Sequence, residues 1–381
     1  MSFELAIRPG DLVLITGATG SVGGAVANEI LKAGYRVRAL VRDETKAGYL
    51  REAFHARYGQ AAFETRLVQD PTVHTDLVDA MQVKKGCAGV VHMASNTSLS
   101  PDPEVVIPSS VNLATAMLRA AAATPTIKRF VFTSSTSTLP PFLVPINNNN
   151  NNINSSETTH SVTVTATGPD SWASEETVQK GWAKPYSPAN AGAVYASSKI
   201  LSERACWEFV AAEKPSFVLN TVVPATQIGE LVHPSLVSSA NGLLWKIWKG
   251  GPDAERVKGL LHFVRGSIGV GGKGSCLLNL SDSGLLHLAA LTHADVQGER
   301  VLGIGEVFDG NDVIDFMKRM DPGRDLPAKV GSGGDVGASE KIQAVVDRSQ
   351  TLELLARFGR TGFVGLEESL RQMVASGSLE A

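Results

Sequence analysis

Residues Leu12-Val13-Leu14-Ile15-Thr16 form a short apolar run, and Gly17-Ala18-Thr19-Gly20-Ser21-Val22-Gly23 follows without a break. A run of that length suits a strand buried on both faces. The spacing predicts a helix from there to about Lys32, with Val22, Val26 and Ile30 on one stripe and Gly34 as its stop. The glycines have separate tasks. Gly17 allows the tight turn, Gly20 lets backbone approach a pyrophosphate, and Gly23 lets helix and strand pack closely. Unpaired amides at the helix start would then face phosphates. Strand, glycine turn and amphipathic helix together restrict the chain to few folds, most of which bind a dinucleotide.

The following segments repeat the alternation. Strands are expected at about Val37–Val41, Phe63–Gln69, Gly89–Met93, Lys128–Thr133 and Phe217–Val223. The helices between them fall at about Glu44–Arg57, Thr75–Val83, Pro103–Ala123 and Ala189–Glu213. Strands and helices alternating in this way indicate an α/β fold, a doubly wound parallel sheet of Rossmann type. Ligands then sit at the carboxyl ends of the strands. Residues 1–225 are expected to form this dinucleotide-binding unit. Residues 226–381, less regular, would form a smaller substrate-binding region partly interleaved with it.

Behind the second strand stand Arg42, Asp43 and Lys46. Two cations there suit a ribose 2′-phosphate, which favours NADP over NAD; the alternative is Asp43 on the ribose with Arg42 solvated. Asp70 follows the third strand, near an expected adenine edge, or serves as a turn residue. His92 closes the fourth strand as a packing residue, before Ala94 and Ser95. Residues 139–188 are irregular and contain six consecutive asparagines, Asn147–Asn152, read as a solvated loop insertion. Trp172 and Trp182 at its end could pack near the active site or form local core. Gly271-Gly272-Lys273-Gly274 lacks the serine or threonine of a phosphate loop and reads as a turn. Asp282 is expected to cap the helical run Ser283–Leu291.

Charge and cysteine usage exclude several classes. The net charge of −3 offers no basic surface for nucleic acid. Cys87, Cys206 and Cys276 are far apart and odd in number, as free thiols in a reducing compartment would be. No spacing of His287 and His293 with carboxylates suggests a metal. No secretory signal or apolar run of about 18 residues is apparent, so a cytoplasmic location is expected and no membrane partner. The sequons at Asn96, Asn154 and Asn279 then read as chance matches.

The chemistry concentrates in Tyr195-Ala196-Ser197-Ser198-Lys199. Residues four apart on a helix share a face. The Lys199 ammonium is expected to favour the Tyr195 phenolate, bringing a phenol of ordinary pKa about 10 within reach of proton transfer near neutral pH. Ser135, just past the fifth strand, lies at the same end of the sheet.

With these pieces placed, the chain resembles the extended short-chain dehydrogenase/reductases. It is most similar to fungal and yeast NADPH-dependent carbonyl reductases, the aldehyde reductase II and ketoreductase group related to plant dihydroflavonol reductases. The segments LVLITGATGSVGG, RVRALVRDETK, LRAAAATPTIKRFVFTSSTST, VYASSK and LNTVVPATQIG carry the likeness, with GLLHLAAL and GERVLG later. The resemblance implies a triad of Ser135, Tyr195 and Lys199. It also implies an NADPH site formed by Thr16, Gly17, Thr19, Gly20, Ser21, Val22 and Gly23, with Arg42 and Lys46 on the 2′-phosphate. Asp70, Ala94, Ser95, Thr133, Tyr195, Lys199 and Pro224 complete that set. The implied activity is reduction of a small-molecule aldehyde, ketone or keto ester to an alcohol. Relatives carry G-T-x-N in the helix before the fifth strand where this chain reads Leu113-Ala114-Thr115-Ala116. Two other functions share the fold: an NAD-dependent sugar epimerase or dehydratase, and a non-catalytic NADP-sensing regulator.

Overall fold

Alternate residues of the first strand face opposite layers, and this determines the architecture. In the computed structural model β1 spans Leu12–Thr16; Val13 and Ile15 join one apolar cluster, Leu12 and Leu14 another. The structure describes residues 3–82, 86–140, 161–162, 172–258, 275–308, 310–329, 343–344 and 347–377. The Asn147–Asn152 tract, Asn154 and Gly271–Gly274 lie outside these residues.

In chain order the first half runs β1, α1 (Ser21–Lys32), β2 (Arg36–Val41), α2 (Glu44–Tyr58), β3 (Phe63–Leu67), α3 (His74–Gln82), β4 (Gly89–His92), α4 (Pro103–Ala122) and β5 (Arg129–Thr133). A two-residue strand β6 (Ser161–Val162), α5 (Glu175–Gly181), α6 (Ala191–Glu213), β7 (Val218–Pro224) and β8 (Thr226–Ile228) follow. The remainder comprises α7 (Ser239–Lys249), α8 (Gly251–Lys258), β9 (Ser275–Asn279), α9 (Leu280–Thr292), β10 (Arg300–Gly303) and β11 (Val307–Phe308). It closes with α10 (Gly310–Met320), β12 (Gln343–Ala344), α11 (Ser349–Ala356) and α12 (Leu366–Gly377).

The main sheet has seven parallel strands in the order β10-β7-β5-β4-β1-β2-β3. Strand order reverses between β1 and β4, which opens the crevice where such sheets bind ligands. Helices α1, α2, α9 and α11 pack on one face through Val26, Ile30, Phe54 and Leu286. On the other face α3, α4 and α6 pack through Leu77, Met117 and Cys206. By length and composition α4 could cross a bilayer. In this fold its Met117 and Leu118 instead lie buried beneath the sheet layer.

A second core surrounds a three-stranded sheet in the order β11-β9-β8, covered by α7, α10 and α12 through Leu244, Trp248, Phe316 and Leu370. The chain past residue 225 also returns to the main sheet as β10 and α9.

Element boundaries follow local bonds. β3 stops at Leu67, short of Gln69, and Asp70 beyond it makes a turn: its Oδ1 accepts from the Thr72 amide at 2.9 Å and from the Thr72 hydroxyl at 2.6 Å. Asp282 does not cap α9. The helix starts earlier, at Leu280, and Asn279 caps it, accepting from the Ser281 amide at 2.8 Å. Asp282 is fully buried in the first turn, where it accepts from the Val364 amide at 2.7 Å. Asn279 is fully buried as well, so its sequon is inaccessible.

Candidate active site

The glycine turn is held at both ends. Gly17 has φ +76°, and a Cβ there would meet the Ala94 nitrogen at 3.0 Å. A Cβ on Gly23 would fall 2.1 Å from the Gly17 oxygen, so only glycine lets α1 start this close to β1. Thr16 ties the turn to the end of β4. Its hydroxyl oxygen accepts from the Met93 and Ala94 amides, both at 3.1 Å, and lies 2.8 Å from His92 Nδ1. With both lone pairs engaged, the hydroxyl donates to His92. Burial pushes the His92 pKa down to about 3, so the ring accepts as a neutral imidazole. Thr16 thus shapes the site with a hydroxyl directed wholly into the protein.

The turn runs directly into the N-terminus of α1, a kind of helix end that can take an anion. Thr19, Gly20 and Val22 are partly exposed there. Ser238 also reaches this point from 217 residues away: its hydroxyl accepts from the Ser21 amide at 2.9 Å, and the Ser21 hydroxyl accepts from the Ser238 amide at 2.8 Å. Nothing in the local sequence pattern around Ser238 marks this contact, because it is created by the return of the C-terminal chain.

Behind β2, Asp43 is a helix cap: its Oδ1 accepts from the Thr45 and Lys46 amides at 2.9 and 3.1 Å. Arg42 and Lys46 are exposed beside it. Asp70 stands exposed past β3, and Ala94 and Ser95 follow β4 at the crevice.

Ser135 and Tyr195 come together at the carboxyl end of β5. Ser135 Oγ accepts from the Ser137 amide at 3.2 Å and the Ser137 hydroxyl at 2.9 Å. With both lone pairs engaged, its proton is left to point outward, toward the neighbouring Tyr195 hydroxyl. Burial raises the Tyr195 pKa above its ordinary value, and the nearby Ser135 hydroxyl pulls it partly back.

Lys199 lies one turn along α6, its Nζ donating to the Thr133 carbonyl at 2.9 Å. Burial drives its pKa down to about 8, opposed by the carboxylate of Glu203. The expected lowering of the tyrosine pKa by Lys199 is not what the structure gives. The ammonium is anchored on Thr133, desolvation dominates at Tyr195, and the group that tunes the phenol is Ser135.

Thr133 is held from its other side too. Its hydroxyl lies 2.9 Å from His287 Nε2, while His287 Nδ1 donates to the Ser283 carbonyl at 2.7 Å. That second bond fixes the tautomer, so Nε2 accepts from Thr133. Burial lowers the His287 pKa to about 4. Pro224 closes β7 opposite Gly303. Trp172 lies over the Arg300 guanidinium at 4.2 Å, close behind this site, whereas Trp182 is exposed. Among the described residues no three His, Cys, Asp or Glu side chains are grouped to hold a metal ion.

Comparison with known proteins places this geometry. Residues 13–238 match the NAD dependent epimerase/dehydratase family. The chain is 33% identical over 374 residues to aldehyde reductase 2 of Sporidiobolus salmonicolor, covering 97% of each chain. It is 31% identical over 375 residues to an NAD-dependent epimerase/dehydratase of Aspergillus terreus, covering 97% of this chain and 98% of the relative. The fold is similar to that of yeast methylglyoxal/isovaleraldehyde reductase complexed with NADPH, with a TM-score of 0.67 at 21% identity over 96% of this chain and 98% of that one. The glycine turn, the parallel sheet and these full-length likenesses agree: the chain belongs to the NAD dependent epimerase/dehydratase family.

Proposed function

We propose that this protein reduces small aldehydes and ketones to alcohols with NADPH. The observation that carries this reading is the Ser135–Tyr195 hydroxyl pair, with Lys199 one turn beyond, at the strand end that the glycine turn also faces. NADPH, when bound, supplies the hydride. Gly17, Gly20, Val22 and Gly23 would hold its pyrophosphate, and Arg42 and Lys46 its 2′-phosphate; Ser21, expected there too, has its amide and hydroxyl engaged by Ser238. The choice rests on those two exposed cations; Asp43 between them caps its own helix through Oδ1.

Tyr195 carries the proton. A raised pKa keeps its hydroxyl protonated across the physiological range, so it is ready to give that proton to an oxygen gaining negative charge. Ser135 donates a hydrogen bond to the same oxygen as charge grows. Lys199 holds positive charge at the strand end, near where a nicotinamide ribose would lie. The smaller core formed by β8, β9, β11 and their helices would cover the substrate. Buried thiols at Cys87, Cys206 and Cys276 suit a reducing compartment such as the cytoplasm. Names borne by relatives, aldehyde reductase 2 and ketoreductase, support the same reaction class.

The test is oxidation of NADPH against NADH with aromatic aldehydes, aryl ketones and β-keto esters, with Tyr195→Phe beside the wild type. We expect NADPH-linked turnover that falls by about 10²–10⁴-fold in the variant, the range for losing a general acid. Turnover with nucleotide sugars and NAD instead would support an epimerase, and tight NADPH binding without turnover a sensor.

A further inference from the structure

Glu203 and Arg300 form a fully buried ion pair, with Arg300 Nε donating to Glu203 Oε1 at 2.8 Å. Neither touches the crevice, yet both reach residues beside the triad. Glu203 lies on α6 four residues past Lys199 and eight past Tyr195, on the same helix stripe. It accepts a short hydrogen bond from the Ser134 hydroxyl and another from Thr221 at 2.9 Å. Arg300, at the start of β10, donates through Nη2 to the Thr138 hydroxyl at 2.8 Å. Thr138 in turn donates its hydroxyl and its amide to the Ser135 carbonyl, both at 2.9 Å. Ser135 is therefore gripped on both sides, through Ser134 by the carboxylate and through Thr138 by the guanidinium. Trp172 covers the guanidinium face, and the Ala173 amide donates to the Thr138 carbonyl at 2.8 Å.

A buried ion pair is seldom a gain in stability over well-packed apolar side chains, so its presence calls for another role. We propose that Glu203 and Arg300 are positioning residues for the reduction step, clamping the Ser135 turn against α6 and setting a negative charge one helical turn from Lys199. The proposal rests on the reductase reading given above. The groups facing Lys199 are Tyr195, Glu203 and Cys206 on α6, His92 from β4, the Thr133 carbonyl and the Phe132 ring from β5. Burial keeps the Cys206 thiol and the His92 ring neutral at pH 7, so among these Glu203 carries the negative charge. Without it the Lys199 ammonium would lose its proton at lower pH.

The experiment is the paired substitution Glu203→Met with Arg300→Met, which removes both charges together and leaves neither unpaired. Carbonyl reduction is measured against pH, and hydrogen exchange of amides 134–138 is measured in the protein without cofactor. We expect kcat to fall by about 10²-fold, the effect of a small misplacement of a reacting group, with KM nearly unchanged. The alkaline limb of the pH profile should move to lower pH, and the 134–138 amides should exchange faster. A folded variant with unchanged kcat, alkaline limb and exchange would overturn the proposal. Thr138→Val provides the second arm should the pair fail to fold, since it cuts the Arg300–Thr138–Ser135 link and leaves both charges in place. There kcat should fall with the alkaline limb unmoved; an unchanged kcat would refute the clamp. Absence of carbonyl turnover in the wild type would sink the reductase reading instead, and the exchange measurement would still judge the clamp.

Discussion

Among single residues, Lys199 gives the proposed reaction a pH dependence. Its ammonium is desolvated and titrates near pH 8, well below an exposed lysine. A lysine whose pKa is depressed loses its charge as pH rises through that value. Carbonyl reduction should therefore decline on the alkaline side with an apparent pKa of about 8. Lys199→Arg, which cannot deprotonate in this range, should remove that limb even where it lowers the rate. A limb that persists unchanged in Lys199→Arg would assign it to another group. That Tyr195 and Lys199 share one face of α6 was legible in the sequence, because a spacing of four is a statement about helix geometry. Ser135 was legible because strand ends carry the chemistry in this fold. The direction of the Tyr195 shift was not, since it depends on how deeply the phenol is buried and where the ammonium is anchored. Glu203 extends the same four-residue stripe and could have been noticed; its partner Arg300 lies 97 residues on and could not.

At the scale of elements, strand ends are pinned by pairs of threonine and neutral histidine, Thr16 with His92 and Thr133 with His287. Each has a consequence for acid stability. His287 titrates near pH 4 in the fold and near 6.5 when unfolded, so below pH 6.5 the unfolded chain binds the extra proton. The contribution of His287 is complete above pH 6.5 and is lost as pH falls toward 4, by about 1.4 kcal/mol for each pH unit. His287→Asn should flatten the fall of unfolding free energy between pH 6.5 and 4, measured by urea unfolding at a series of pH values. An identical slope in both proteins would contradict this account. The strands and helices of the first half were readable from periodicity, with ends shifted by a residue or two where a turn or side-chain bond intervened. Asp282 shows the limit of local reading: an acid before an apolar run looks like a cap, but Asn279 holds that position and Asp282 binds the chain at Val364.

For the molecule as a whole, one end of the sheet gathers contributions from the entire chain. The glycine turn comes from residues near the start, Ser135, Tyr195 and Lys199 from the middle, and Ser238, His287 and Arg300 from the returning C-terminal half. The doubly wound sheet was foreseeable because each strand–helix unit announces itself locally. The second core was not, because its short strands pair only after long excursions. Cofactor choice is a property of this assembly. If Arg42 and Lys46 meet a 2′-phosphate, replacing both with alanine should weaken NADPH binding by about 10²-fold while leaving NADH binding nearly unchanged, the scale of two charged hydrogen bonds. Fluorescence titration of both cofactors checks it, and equal losses for the two would remove the assigned role.

The central claim is hydride delivery to a carbonyl carbon, and isotopic transfer tests it most directly. The protein would be incubated with NADPH deuterated at the nicotinamide C4, on either face, together with an aromatic ketone or a β-keto ester. The product would be examined by mass spectrometry. Deuterium is expected on the carbinol carbon from one face of the cofactor only, and none of that product from Tyr195→Phe at comparable enzyme and time. Alcohol formed without deuterium from either face, or formed equally well by the variant, would contradict it.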